Sequence, residues 1–69
     1  MVEVFKTNVY EVEKSDLIFQ KLHKHFPENK INFDLDDCNK ILRVEGKNIL
    51  SIKIIEILEE EGHFCEILE

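Results

Sequence analysis

From Val2 to Val9 the chain follows a period of two, with Phe5, Thr7 and Val9 on one side and Val2, Val4 and Lys6 on the other. That spacing, rich in β-branched and aromatic residues and free of breakers, predicts a strand. The period then lengthens. Leu17, Ile18, Leu22 and Phe26 recur at three- and four-residue intervals, which predicts a helix over Ser15–Phe26 with Ser15 or Asp16 as its cap. Pro27 ends it, because the residue before a proline is pushed out of helical geometry. Ile31, Phe33 and Leu35 alternate with Asn32 and Asp34, so a half-buried strand follows.

Asp36-Asp37-Cys38-Asn39-Lys40 is turn chemistry, after which Leu42 and Val44 alternate with Ile41 and Arg43 to close a hairpin. Gly46-Lys47-Asn48 breaks the pattern, with Asn48 placed to cap a second helix over Ile49–Glu61. Ser51, Ile54, Ile55 and Leu58 form its inner stripe, leaving Ile52 and Ile57 outside. Gly62 is placed to end that helix in a left-handed conformation, and His63–Leu68 forms the last strand. The order β-α-β-β-α-β predicts an α+β, ferredoxin-like sandwich. Its antiparallel sheet has the order 4-1-3-2, and both helices lie on one face.

Sixty-nine residues are expected to form one domain, 1–69, with a modest core. The apolar fraction of 43% with 35% charged residues predicts a folded chain rather than a disordered one. No apolar run reaches the roughly 18 residues of a membrane span, and the N-terminus does not read as a signal peptide, so a cytoplasmic protein is expected. The net charge of −6 weighs against nucleic acid and anionic membranes, which select concentrated basic faces. Two cysteines, Cys38 and Cys65, are too few for a disulfide framework and read as free thiols.

Phe26-Pro27-Glu28-Asn29, Ile31-Asn32-Phe33-Asp34-Leu35, Val44-Glu45-Gly46 and Ile54–Gly62 together resemble segments of the heavy-metal-associated family, which includes small copper chaperones. Phe26-Pro27-Glu28-Asn29 is similar to that family's first-helix exit. Ile31-Asn32-Phe33-Asp34-Leu35 is similar to its second strand, and Val44-Glu45-Gly46 to the end of its third. Ile54–Gly62 is similar to its second helix and cap. The family carries Met-x-Cys-x-x-Cys after its first strand. Laid over Val9–Lys14, that motif puts Glu11 and Lys14 where the two cysteines stand. Cu(I) is held there by soft thiolates; a carboxylate is a hard ligand and an ammonium repels cations. The resemblance therefore implies a small binding module without the family's copper chemistry. Glu11 and Lys14 are spaced to pair with each other at the helix start.

The expected topology brings the loop after the first strand, the hairpin turn and the second-helix exit to one end. Tyr10, Glu11, Cys38, His63 and Cys65 are candidates to meet there. Cys38 and His63 are the alternative metal ligands, since thiolate and imidazole suit Zn(II) or copper, although their spacing carries no ligand signature. Cys65 is expected to point inward as a small core residue. His23 and His25, two apart on a helix, face different directions and cannot chelate together. No nucleophile–base constellation is visible, so neither an enzyme nor a cofactor is expected. Acylphosphatases share the topology but need an arginine-bearing loop after the first strand, which has no arginine or glycine here. RNA-recognition motifs need aromatics on the third strand, where Ile41 and Arg43 stand. Amino-acid-binding regulatory modules of the ACT type stay open as an alternative, although the first loop here lacks the glycine where their ligands usually sit. Val2, Val4, Ile41, Ile52 and Ile57 are a surplus of apolar residues outside the inner faces, which suggests a protein partner or a homodimer.

Overall fold

The computed structural model describes residues 1–68. Six elements follow in the predicted order: β1 (Val2–Thr7), α1 (Val12–His25), β2 (Lys30–Asp34), β3 (Ile41–Glu45), α2 (Ser51–Glu60) and β4 (Cys65–Ile67). The four strands form one antiparallel sheet in the order β2-β3-β1-β4, the predicted order read from the other edge. The architecture is α+β and compatible with the ferredoxin-like fold.

Strand alternation sorts the side chains into two faces. Phe5, Ile31, Leu42, Val44 and Cys65 face inward and join Ile18 and Leu22 of α1 with Ile54, Ile57 and Leu58 of α2 in one apolar cluster. Burying these side chains, each worth on the order of 1.5–3 kcal/mol, drives the fold. The opposite face is mixed rather than apolar. The register lines up Lys30, Glu45 and Val2 in one row and Asn32, Arg43 and Val4 in the next, and it pairs Asp34 with Ile41 and Lys6 with Glu66. Charged side chains therefore interrupt Val2, Val4 and Ile41, and Ile41 is itself only 7% exposed instead of open to solvent.

Several expected boundaries move. β1 stops at Thr7 rather than Val9, because the Thr7 hydroxyl takes the Val9 N–H at 3.2 Å and donates to the Lys40 carbonyl at 2.6 Å. This local turn leads the chain out of the sheet, yet Val9 still lands in the core. α1 starts at Val12, three residues before the expected cap. Ser15 lies inside the helix and is buried, its hydroxyl donating back to the Val12 carbonyl at 2.7 Å. Asp16 is an exposed helical residue. Leu17, expected on the inner stripe, is 47% exposed, since the stripe runs through Ser15, Ile18 and Leu22.

α2 begins at Ser51 rather than Ile49, with Leu50 at its N-cap, so Asn48 does not cap it. Its buried stripe is Ile54, Ile57 and Leu58. Ile57, expected outside, is 2% exposed, while Ile55 is only partly buried. The stripe is rotated because α2 packs against both α1 and β4. Gly62 closes the helix as expected, at φ +81°. The His63 N–H donates to the Leu58 carbonyl and the Gly62 N–H to the Glu59 carbonyl, both at 2.9 Å, the paired bonds of a Schellman ending. β4 is shorter than expected, Cys65–Ile67 against His63–Leu68.

Candidate functional site

The first loop, the hairpin turn and the exit of α2 do meet at one end. The Thr7 N–H donates to the Asn39 carbonyl at 3.1 Å, and its hydroxyl holds Lys40, which fastens the β2–β3 turn to the end of β1. Asn39 in turn donates its N–H to the Asp37 carboxylate at 2.8 Å, an Asx turn that shapes the hairpin. On the other side, Asn8 Oδ1 accepts the Phe64 N–H at 3.0 Å and lies 3.2 Å from Nδ1 of His63. One residue following β1 thus ties the α2–β4 connection to the first loop. Pattern reasoning missed Asn8. Its only signal was an asparagine at a strand exit, where such side chains commonly bond to nearby backbone.

The candidate residues occupy this end unevenly. Tyr10, Glu11, Val12 and Lys14 are all exposed, with Tyr10 at 69%. Glu11 is the N-cap of α1 but makes no side-chain cap bond, and no ion pair joins it to Lys14 among the described residues. The ion pair present there is Lys21–Glu61, which ties α1 to the end of α2. That bond raises the Lys21 ammonium above its ordinary pKa and lowers the Glu61 carboxyl below its own. Glu11 and Lys14 do not suit the two-thiolate chemistry that the family resemblance places at their positions.

Cys38 is exposed in the β2–β3 turn, whereas Cys65 is buried opposite Thr7. Burial, followed by the nearby charges of Glu59 and Glu66, pushes the Cys65 thiol up to about 12. It is therefore protonated at neutral pH, a poor nucleophile and a poor metal ligand. His63 engages Asn8. Among the described residues no three His, Cys, Asp or Glu side chains group as a metal centre. On α1, His23 stacks on Phe19 with ring centres 5.9 Å apart, and His25 lies at a tilt beside Phe26 at 6.3 Å, so the two histidines do face different neighbours.

What remains chemically distinctive at this end is apolar. Tyr10, Val12 and Phe64 are exposed on segments that Asn8 binds together. A groove of about 700 Å³ opens at the opposite end, between the α1 exit and the β3–α2 loop, beside Phe26, Pro27, Asn29, Gly46 and Leu50. No helix in the described residues is long and apolar enough to cross a membrane. Comparison with family models, curated proteins and solved structures gives no match for this chain.

Proposed function

We propose that this protein is a small non-catalytic binding module, a relative of heavy-metal-associated domains in fold, that docks on another protein through its first-loop end. The observation that carries this reading is the exposure of Tyr10, Val12 and Phe64 at the end where the Asn8 side chain joins the first loop to the α2–β4 connection. Exposed aromatic side chains offer large contact area at low conformational cost, which is why protein interfaces select them. The same end carries a carboxylate and an ammonium where copper transfer needs thiolates, so the module works without the family's metal cargo. In this reading it acts in the cytoplasm as an adaptor.

The test is native mass spectrometry of the reduced chain with Zn(II) and, separately, Cu(I), each buffered by a competing chelator. The expected result is folded protein that holds no tight metal equivalent. One equivalent that disappears on Cys38→Ser or His63→Ala overturns the proposal in favour of metal trafficking through those two side chains.

A further inference from the structure

We infer that β2 is a self-pairing edge, and that two copies of this chain join antiparallel along Lys30–Asp34 into one continuous eight-stranded sheet. β2 lies at one end of the strand order, so one side of its backbone has no neighbouring strand among the described residues. The hydrogen-bond alternation identifies which groups are left over. The Gly46 N–H donates to the Met1 carbonyl at 2.9 Å, extending the β1–β3 register. Backbone groups alternate along antiparallel strands, so Leu42 and Val44 bond toward β1, while Ile41, Arg43 and Glu45 bond toward β2. The Leu68 N–H, donating to the Val4 carbonyl at 2.8 Å, fits the same alternation, with Val4 turned toward β4. The partners of Ile41, Arg43 and Glu45 are Asp34, Asn32 and Lys30. Ile31 and Phe33 therefore turn their N–H and C=O groups outward.

The sequence of this edge is complementary to itself. With a two-fold axis at Asn32, Lys30 of one copy meets Asp34 of the other at both ends, Ile31 meets Phe33, and Asn32 meets Asn32. Ile31 and Phe33 would exchange about four backbone bonds, and the charged pairs fall at the close, non-hydrogen-bonded positions. A two-fold interface requires this self-complementarity. The other edge lacks it: an axis through the middle of β4 would set Glu66 against Glu66, a like-charge pair that blocks pairing. β2 carries no proline to guard it.

The surroundings suit a second copy. A groove of about 340 Å³ runs between α1 and β2, lined in part by Asp16, Phe19, Phe33 and Leu35. Phe33 is only partly buried and Phe19 is 40% exposed, so the inward-facing side chains of an added strand would meet these rings in a groove that Ser15, Asp16 and Asn32 also line. This surface is separate from the Tyr10–Phe64 end, and the inference stands apart from the docking role proposed there.

Charge exchange tests it. Asp34→Lys sets two ammonium groups against each other at both ends of the pairing, and Lys30→Asp sets two carboxylates there. Each variant alone should dimerise at least about tenfold more weakly than the wild-type chain, as expected when two cross-strand pairs become like-charged. An equimolar mixture of the two restores opposite charges and should form a heterodimer, read by sedimentation equilibrium with circular dichroism as the folding check. If a variant fails to fold, Asn32→Cys in a Cys38→Ser background decides instead. It should oxidise to a disulfide-linked dimer, because that pair sits at close approach across the axis, while Glu66→Cys in the same background should not. A wild-type chain that stays monomeric at high concentration overturns the inference and leaves the edge to an extended segment of another protein. Variants that dimerise undiminished, or a mixture without heterodimer, overturn the register.

Discussion

Asn8 and Phe64 are 56 positions apart in the chain, yet the Asn8 side-chain oxygen accepts the Phe64 backbone N–H at 3.0 Å. The bond links the β1 exit to the connection that leads into β4, the shortest strand of the sheet. β4 has only three residues of ladder with β1, so its docking leans on this clamp and on the Leu68 bond to Val4. Asn8→Ala should lower stability by about 1 kcal/mol, the usual net worth of one such bond. Urea unfolding measures that loss. Hydrogen exchange should locate it, with the Phe64 amide losing protection before the amides of β3.

The two cysteines should react very differently. Cys38 is exposed, whereas Cys65 is buried with its thiol raised from 9.0 to about 12. Since thiolates are the reactive form, iodoacetamide at neutral pH should label Cys38 in the folded chain and spare Cys65 until denaturant is added. The raised thiol also has a stability consequence with a definite sign. Its contribution is complete below pH 9 and is lost as the pH climbs toward 12, because only the unfolded chain releases the proton in that window. Cys65→Ala should therefore flatten part of the alkaline fall in the urea midpoint.

The strand pattern carried most of the fold. Phe5 and Thr7 on β1, and Leu42 and Val44 on β3, alternate strictly, and a one-residue slip would turn each inner face outward. Helix starts were illegible for a physical reason: α1 and α2 begin behind Glu11 and Leu50, neither of which makes a side-chain cap bond. The polar residues that usually mark a cap are used elsewhere, Ser15 in a bond back to Val12 and Asn48 in a left-handed loop position at φ +54°. The Asn8 clamp was invisible because it depends on where α2 delivers Phe64, a non-local outcome. The gathering of the first loop, the hairpin turn and the α2 exit was legible from topology, whereas the proximity of individual side chains within it was not.

α2 places isoleucine at 52, 54, 55 and 57, so nearly every face of the helix carries one and periodicity cannot choose among them. Packing does. Ile57 is 2% exposed and Ile52 is 77% exposed. Ile57→Ala should cost about 2–4 kcal/mol through lost burial and the cavity left behind, a large part of the stability of so small a domain. Ile52→Ala should change stability by no more than about 0.5 kcal/mol. Thermal melting of the two variants side by side checks the direction in which the stripe is rotated.

Both glycines sit at positive φ, but their surroundings differ. Gly62, at +81°, has open space where a Cβ would stand, so Gly62→Ala should cost only the conformational strain of about 1–2 kcal/mol. Gly46, at +138°, would place a Cβ 3.1 Å from the Asn29 side-chain oxygen and 3.5 Å from its Cα. That backbone region is essentially reserved for glycine, and Asn29 has to give way besides. Gly46→Ala should be the more destabilising of the two by chemical denaturation, and an equal or smaller loss would show that the loop relaxes freely.

The Lys21–Glu61 bridge makes a prediction about acid rather than about size. Its hydrogen bond lowers the Glu61 carboxyl below its ordinary value of 4.5 and raises the Lys21 ammonium above 10.5. For the carboxyl, the folded chain releases its proton at lower pH than the unfolded chain, so the bridge contributes fully above pH 4.5 and fades as the pH falls through the lowered value. For the ammonium the sign reverses: its contribution is complete below 10.5 and fades as the pH rises beyond it. Between these limits the difference in urea midpoint between the wild-type chain and Lys21→Met should be flat and small, as expected for an exposed pair. Below pH 4.5 the two unfolding curves should converge. Since the bridge joins α1 to the end of α2, curves that stay parallel into strong acid would assign the lysine's effect to its aliphatic packing instead of its charge.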